Sequence, residues 1–156
     1  MFSCTLRSVG VSLSPVVSVP SPAIYFENTL AVITQESRGR YVRVRWKRVL
    51  WDLLAGQEAM NSLLECLLYS GWKKVLIKQP PLRGFPLSYH TWLLYDWLPR
   101  AQMLGTVSYA LIPPQDLSAH VGFADFLSQL HRFKICYFVA NSREQAVAWL
   151  NSQSTD

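Results

Sequence analysis

The sequence predicts an α/β fold: a single domain built on one mixed sheet. Three observations carry this. Residues alternate after a turn near Gly39, with Val42, Val44 and Trp46 set against Arg43, Arg45 and Lys47. A period of two marks a strand with one dry and one wet face. The run Val75-Leu76-Ile77 is apolar throughout and is soon followed by Pro80-Pro81. That pattern is a buried strand, stopped by residues that cannot donate to a ladder. Elsewhere the apolar residues recur at helical spacing, so the predicted order is β-β-α-β-α-β-α-β-α. Strands alternating with helices imply right-handed crossovers and mainly parallel pairing; the opening N-terminal antiparallel hairpin makes the sheet mixed.

The elements follow in order. Leu30 to Gln35 is the first strand. Glu36-Ser37-Arg38-Gly39 supplies the turn, with Gly39 expected at positive φ. Tyr41 to Val49 is the second strand. Asp52 caps a helix reaching about Ser70, whose stripe Met60, Leu63, Leu64, Leu67 and Leu68 falls at i, i+3, i+4, i+7 and i+8. Gly71 ends it at the C′ position. Lys73 to Gln79 is the third strand and Leu82 to Leu87 a loop. Ser88 is expected to cap a helix reaching Leu104, ended by Gly105. Pro99 should bend that helix, because its ring displaces a carbonyl of the preceding turn. Thr106 to Ile112 is a strand stopped by Pro113-Pro114. A helix follows from Asp116 or Ser118 to His131, with Gly122 a candidate break. Lys134 to Val139 is the last strand. Asn141 or Ser142 caps the last helix, where Ser142-Arg143-Glu144-Gln145 has capping-box spacing. Ala146, Val147, Trp149 and Leu150 form its apolar side. Residues 1–22, rich in Ser, Val and Pro, read as a flexible N-terminal extension, 23–151 as the domain and 152–156 as a C-terminal tail.

Composition bounds the function. The chain has 156 residues, 50% hydrophobic and 16% charged, which is enough apolar material for one packed core. Its apolar runs fall far short of the ~20 residues a spanning helix needs, so no membrane insertion is expected. Cys4, Cys66 and Cys136 are far apart and odd in number, without zinc or redox spacing. They fit a reduced, cytoplasmic protein. The net charge of +5 tolerates anionic partners without identifying one.

No nucleophile elbow, phosphate loop, dinucleotide fingerprint or zinc-protease motif is present, which argues against an enzyme. His90, His120 and His131 are not at metal-ligand spacing, and no cofactor is implied. Arg38, Arg40, Arg43, Arg45, Lys47 and Arg48 form a basic run. It reads as charge guarding an exposed strand. Nucleic acid is disfavoured, because Trp46 points away from the arginines and only Tyr41 shares their face.

Two features are candidates for function. The helix after Ser88 carries the stripe Leu94, Trp97, Leu98, Ala101 and Leu104, which should face the sheet. A second stripe, Trp92, Tyr95, Pro99 and Met103, either packs under neighbouring loops or meets a protein partner, most simply a second copy in a homodimer. The loop from Lys78 to His90 lies at the carboxyl end of a central parallel strand, where open α/β sheets take anionic ligands. Lys78, Arg83, Ser88, Tyr89 and His90 could line such a site. The alternative is a packed histidine and solvated cations. A third class is an enzyme pairing Ser88 with His90, which requires the two side chains within hydrogen-bond reach.

The hairpin ending Val44-Arg45-Trp46, the Val75-Leu76-Ile77 strand, the helix Trp92-Leu93-Leu94-Tyr95-Asp96-Trp97-Leu98-Pro99-Arg100 and the ending Cys136-Tyr137-Phe138 with Ala146-Val147-Ala148-Trp149-Leu150 resemble small bacterial proteins of the STAS-like, or SpoIIAA-like, fold. These are often grouped with the CRAL-TRIO lipid-transfer superfamily. The resemblance covers roughly residues 24–151 and implies an SpoIIAA-like fold more than a function. Anti-sigma-factor antagonists use that fold as a phosphorylation switch, at a serine in an Asp-Ser-Ser-Gly turn. The matching stretch here, Phe85-Pro86-Leu87-Ser88, keeps only Ser88. Lipid-transfer relatives use a larger chain with a lid helix. The expectation is a non-catalytic regulatory or protein-interaction module. The alternative is a binder of a small anionic or lipid-like ligand at the loop after the central strand.

Overall fold

The computed structural model describes residues 22–79, 86–114 and 117–153, and for 117–121 the backbone alone. A six-stranded mixed sheet runs in sequential order, β1 (Ala23–Glu27), β2 (Ala31–Glu36), β3 (Tyr41–Trp46), β4 (Lys74–Lys78), β5 (Ser108–Ile112) and β6 (Cys136–Val139). The first three pair antiparallel; β3 through β6 pair parallel. Helix α1 (Leu53–Ser70) joins β3 to β4, α2 (Leu87–Trp92) and α3 (Leu98–Gln102) join β4 to β5, and α4 (Leu117–Arg132) joins β5 to β6. Helix α5 (Arg143–Ser152) follows β6. Because each parallel crossover steps to the next position with the same hand, the crossover helices share one face of the sheet. Their large core includes Val42, Val44, Val75, Ile77, Tyr109 and Leu111 from the strands. The opposite face is covered by α5, whose Ala146 and Leu150 pack on Tyr41, Leu76 and Ala110. The Val75-Leu76-Ile77 run is therefore buried on both sides.

Strand β1 is absent from the sequence-based order, and its geometry explains why. A bulge between Ile24 and Phe26 breaks the pairing with β2. Tyr25 and Phe26 consequently both pack toward the large core, which erases the alternation that marks a strand. The turn into β2 is built by Asn28, whose Oδ1 accepts from the Leu30 and Ala31 amides, both at 2.9 Å.

Several local expectations change. The left-handed residue after β2 is Arg40, at φ 55, rather than Gly39. Gly39 is needed for space instead: a Cβ there would stand 2.8 Å from the Tyr41 ring. Strand β3 stops at Trp46, short of Val49. In α1 the buried face runs through Ala59, Met60, Leu63, Cys66 and Leu67, so Leu68 points to solvent at 61% exposure. Helix α4 is continuous through Gly122. Pro86, not Ser88, is the N-cap of α2, and no side chain caps it.

Three predicted termini hold. Asp52 accepts from the Ala55 amide, and Gly71 closes α1 at φ 72 with its N–H on the Leu67 carbonyl. Ser142 Oγ accepts from the Gln145 amide at 3.1 Å, while Gln145 Oε1 reaches back to the Asn141 amide at 2.6 Å.

Pro99 shapes the long helix in an unforeseen way. Between α2 and α3 the chain makes a π-helical turn over Leu93–Trp97, with the Leu98 amide donating to the Leu93 carbonyl. Proline cannot continue the normal ladder and crowds the carbonyl four residues earlier. The wider turn accommodates this just before Pro99. It also delivers Leu93, Leu94 and Trp97 together into the core.

Candidate functional site

The residues expected to form one loop site are divided by the sheet. Tyr89 is 1% exposed and packs edge-on against Trp51 at 4.8 Å and Trp46 at 6.3 Å. Burial holds its hydroxyl far above the ordinary tyrosine range. It is core, not a ligand contact. His90 is half-buried and lies flat on Phe126, with ring centroids 4.7 Å apart. Ser88 is exposed on the first turn of α2. Residues two apart on a helix do not face each other, so Ser88 and His90 form no catalytic pair. Arg83 lies outside the described residues.

His90 yields a pH prediction. Burial lowers its pKa below the ordinary 6.5, and Asp125 opposes this only in part. The folded protein thus resists protonating His90, and the unfolded chain binds that proton more readily. Stability from this residue is complete above about pH 6.5 and is lost as the pH falls below it. In His90→Phe, the drop in Tm between pH 7.5 and 5.5 should be smaller than in the parent. An equal drop would show that His90 does not contribute to it.

On the α2–α3 helix, Trp92 is half-buried against the core, while Tyr95 and Met103 are 68% and 86% exposed. Pro99 is exposed between them, and the Tyr95 ring meets Phe133 edge-on at 6.0 Å. The second stripe therefore loses Trp92 to the interior and keeps its other three members at the surface.

Lys78 belongs to a different place. Strand β4 alternates, so Lys78 shares the α5 face with Leu76, opposite Ile77. There a cleft of about 490 Å³ opens at the carboxyl ends of the parallel strands. Leu76, Ile112, Pro113 and Pro114 give it an apolar lining, and Asn141, Ser142 and Arg143 form the wall at the start of α5. Arg43 and Lys78 complete it. The parallel register sets Arg43 beside Leu76 and Lys78 beside Ile112. Three cationic side chains from three separate elements thus line one hollow.

The electrostatics of the cleft are tense. Burial, and next the charge of Arg143, pull the Arg43 guanidinium pKa below its ordinary value, with Glu36 opposing. The neighbouring Tyr41 hydroxyl raises the Arg143 pKa against the cost of desolvation. Arg143 is paired with Glu36, at 3.5 Å. A guanidinium whose charge is disfavoured by burial and by the neighbouring Arg143, with Lys78 as a third cation and the first turn of α5 beside it, attracts an anion.

The rest of the basic run goes elsewhere. The Arg40 guanidinium lies 5.8 Å from the Trp72 ring centre. Lys47 pairs with Glu27 at 2.7 Å and donates to the Asn28 carbonyl at 2.8 Å. Arg38, Arg45 and Arg48 are exposed. Sequence reasoning found Lys78 and missed Arg43 and Arg143 as its companions.

A much smaller cavity lies between the sheet and the crossover helices, lined by Trp46, Tyr89, Trp97 and Phe126 among others. Its room is about 40 Å³, on the order of a single water molecule. A lipid chain does not fit there. Cys66 is buried and free, its thiol pushed up to about 11 by burial, and Cys136 is also free. Among the described residues, no group of three or more His, Cys, Asp or Glu could hold a metal ion, and no helix is long and apolar enough to cross a membrane. No family model matches the chain, and the searches of curated proteins and of solved structures gave no match either.

Proposed function

We propose that this chain is a regulatory binding module of STAS-like fold that takes a small anion in the cleft at the carboxyl ends of its parallel strands. One observation carries the reading: Arg43, Lys78 and Arg143 converge on a single hollow at the N-terminus of α5. The STAS-like assignment is supported by the opening hairpin, by the succession of β-α units and by strands in sequential order. The anion is the ligand class expected after the central strand, but its seat is on the α5 face rather than among Ser88, Tyr89 and His90.

Inorganic phosphate is the simplest probe. A ligand at 100 times its Kd stabilises a fold by ~2.7 kcal/mol, several degrees in Tm for a domain of this size. Thermal unfolding in low salt should therefore shift upward with added phosphate and saturate. The shift should shrink as sodium chloride screens the site. A Tm unmoved by phosphate, or one moved equally by the same ionic strength of sodium chloride, would contradict the reading.

A further inference from the structure

We infer that the cleft takes a small phosphomonoester whose organic part is apolar, a proposal that rests on the anion-binding reading above. Charge comes first. Arg43, Lys78 and Arg143 bring three positive charges, and Glu36, whose side chain is only 10% exposed, is set against Arg143 at 3.5 Å. The cluster keeps two positive charges in excess. Arg45 beside Arg43 and Glu144 beside Arg143 offset one another. A dianion cancels that excess, whereas a carboxylate leaves half of it. Phosphomonoesters are mostly dianionic above pH ~6. Planar guanidinium groups also suit phosphate oxygens, which can bridge two of them.

Shape comes second. A purely ionic site would be polar throughout, but this one is lined by Leu76, Ile112, Pro113 and Pro114 next to the charges. That surface gains from contact with an apolar or flat body and gives nothing to free phosphate. The volume of about 490 Å³ is that of a small-molecule pocket, typically ~300–1,000 Å³. The phosphate sits between Arg43 and Arg143 at the start of α5, and the body lies over Ile112 and Pro113, the partly exposed apolar lining.

Calorimetric titration of the full chain at pH 7.5 in low salt, with four probes, tests this. Phenyl phosphate should bind ~10-fold tighter than inorganic phosphate, which has the charge without the body. It should bind ~10-fold tighter than benzoate, which has the body with half the charge. A short phosphotyrosine peptide, which carries the same group on a polypeptide, should bind no tighter than phenyl phosphate. Ile112→Ser should remove the advantage of phenyl phosphate over inorganic phosphate. If none of the probes binds, the anion-binding reading itself falls. If phosphate, phenyl phosphate and benzoate bind within twofold of each other, anion binding stands and the phosphomonoester assignment falls. A phosphopeptide more than tenfold tighter than phenyl phosphate would replace the small molecule with a protein partner and overturn the assignment as well.

Discussion

Trp97→Ala should cost about 3–5 kcal/mol, the usual range for deleting a buried tryptophan. A domain of this kind is typically stable by only about 5–15 kcal/mol in total, so the variant should give up a large share of that margin and melt well below the parent. Trp97 is 1% exposed at the end of the π-helical turn, edge-on to Tyr109 with centroids 6.4 Å apart. Its indole N–H donates to the Met60 carbonyl at 2.6 Å, tying the helix after β4 to the middle of α1. The residue thus fills volume and joins two crossover helices. Trp97→Phe keeps most of the volume but loses the donor, and should cost about 1–3 kcal/mol. Urea unfolding followed by circular dichroism measures both. A loss below 1 kcal/mol in Trp97→Ala would mean that the turn repacks and that the ring is not the pin described.

The second large effect is on binding. Arg43→Ala and Arg143→Ala should each weaken phosphate about tenfold, since a hydrogen bond to a charged group contributes about 1.5–3 kcal/mol. The double variant should lose binding altogether. Stability should move the other way for Arg43. Its charge is opposed first by burial and then by Arg143, so removing it relieves both, and the Tm of free Arg43→Ala should not fall. Arg143→Ala takes from Glu36 its ion-pair partner, and its Tm should fall modestly. A binding residue whose loss leaves the fold no weaker is what a site held ready for a ligand produces. Phosphate titrations of the two single variants, paired with their melting curves, separate these effects.

The sequence made much of this fold visible, for physical reasons that also mark where it stopped. Period-two alternation placed Arg43 and Arg45 opposite Val44 and Trp46, and the caps at Asp52, Gly71 and Ser142 read directly as backbone chemistry. Strand β1 was hidden because its bulge turns Tyr25 and Phe26 to the same side. The π-helical turn left no local signal beyond Pro99. The cleft was half legible. Following the chain from Lys78 into the next loop led to Ser88 and His90, but β4 points Lys78 to the other face. Its companions are far away in sequence, on β3 and α5. The parity of β4 was the available clue: Lys78 repeats with Leu76 and not with Ile77. Only the parallel register, which sets Arg45 beside Lys78 and Arg43 beside Leu76, shows that the basic strand borders the same hollow.

Mapping of backbone amides by nuclear magnetic resonance during a phosphate titration addresses the seat of the anion directly. The perturbed amides should cluster at Arg43, at Leu76 to Lys78, at Ile112 and from Asn141 to Glu144, and should saturate along one curve. Saturating shifts centred instead on Ser88 to His90, with Arg143 and Glu144 unmoved, would place the anion on the opposite side of the sheet and contradict the account.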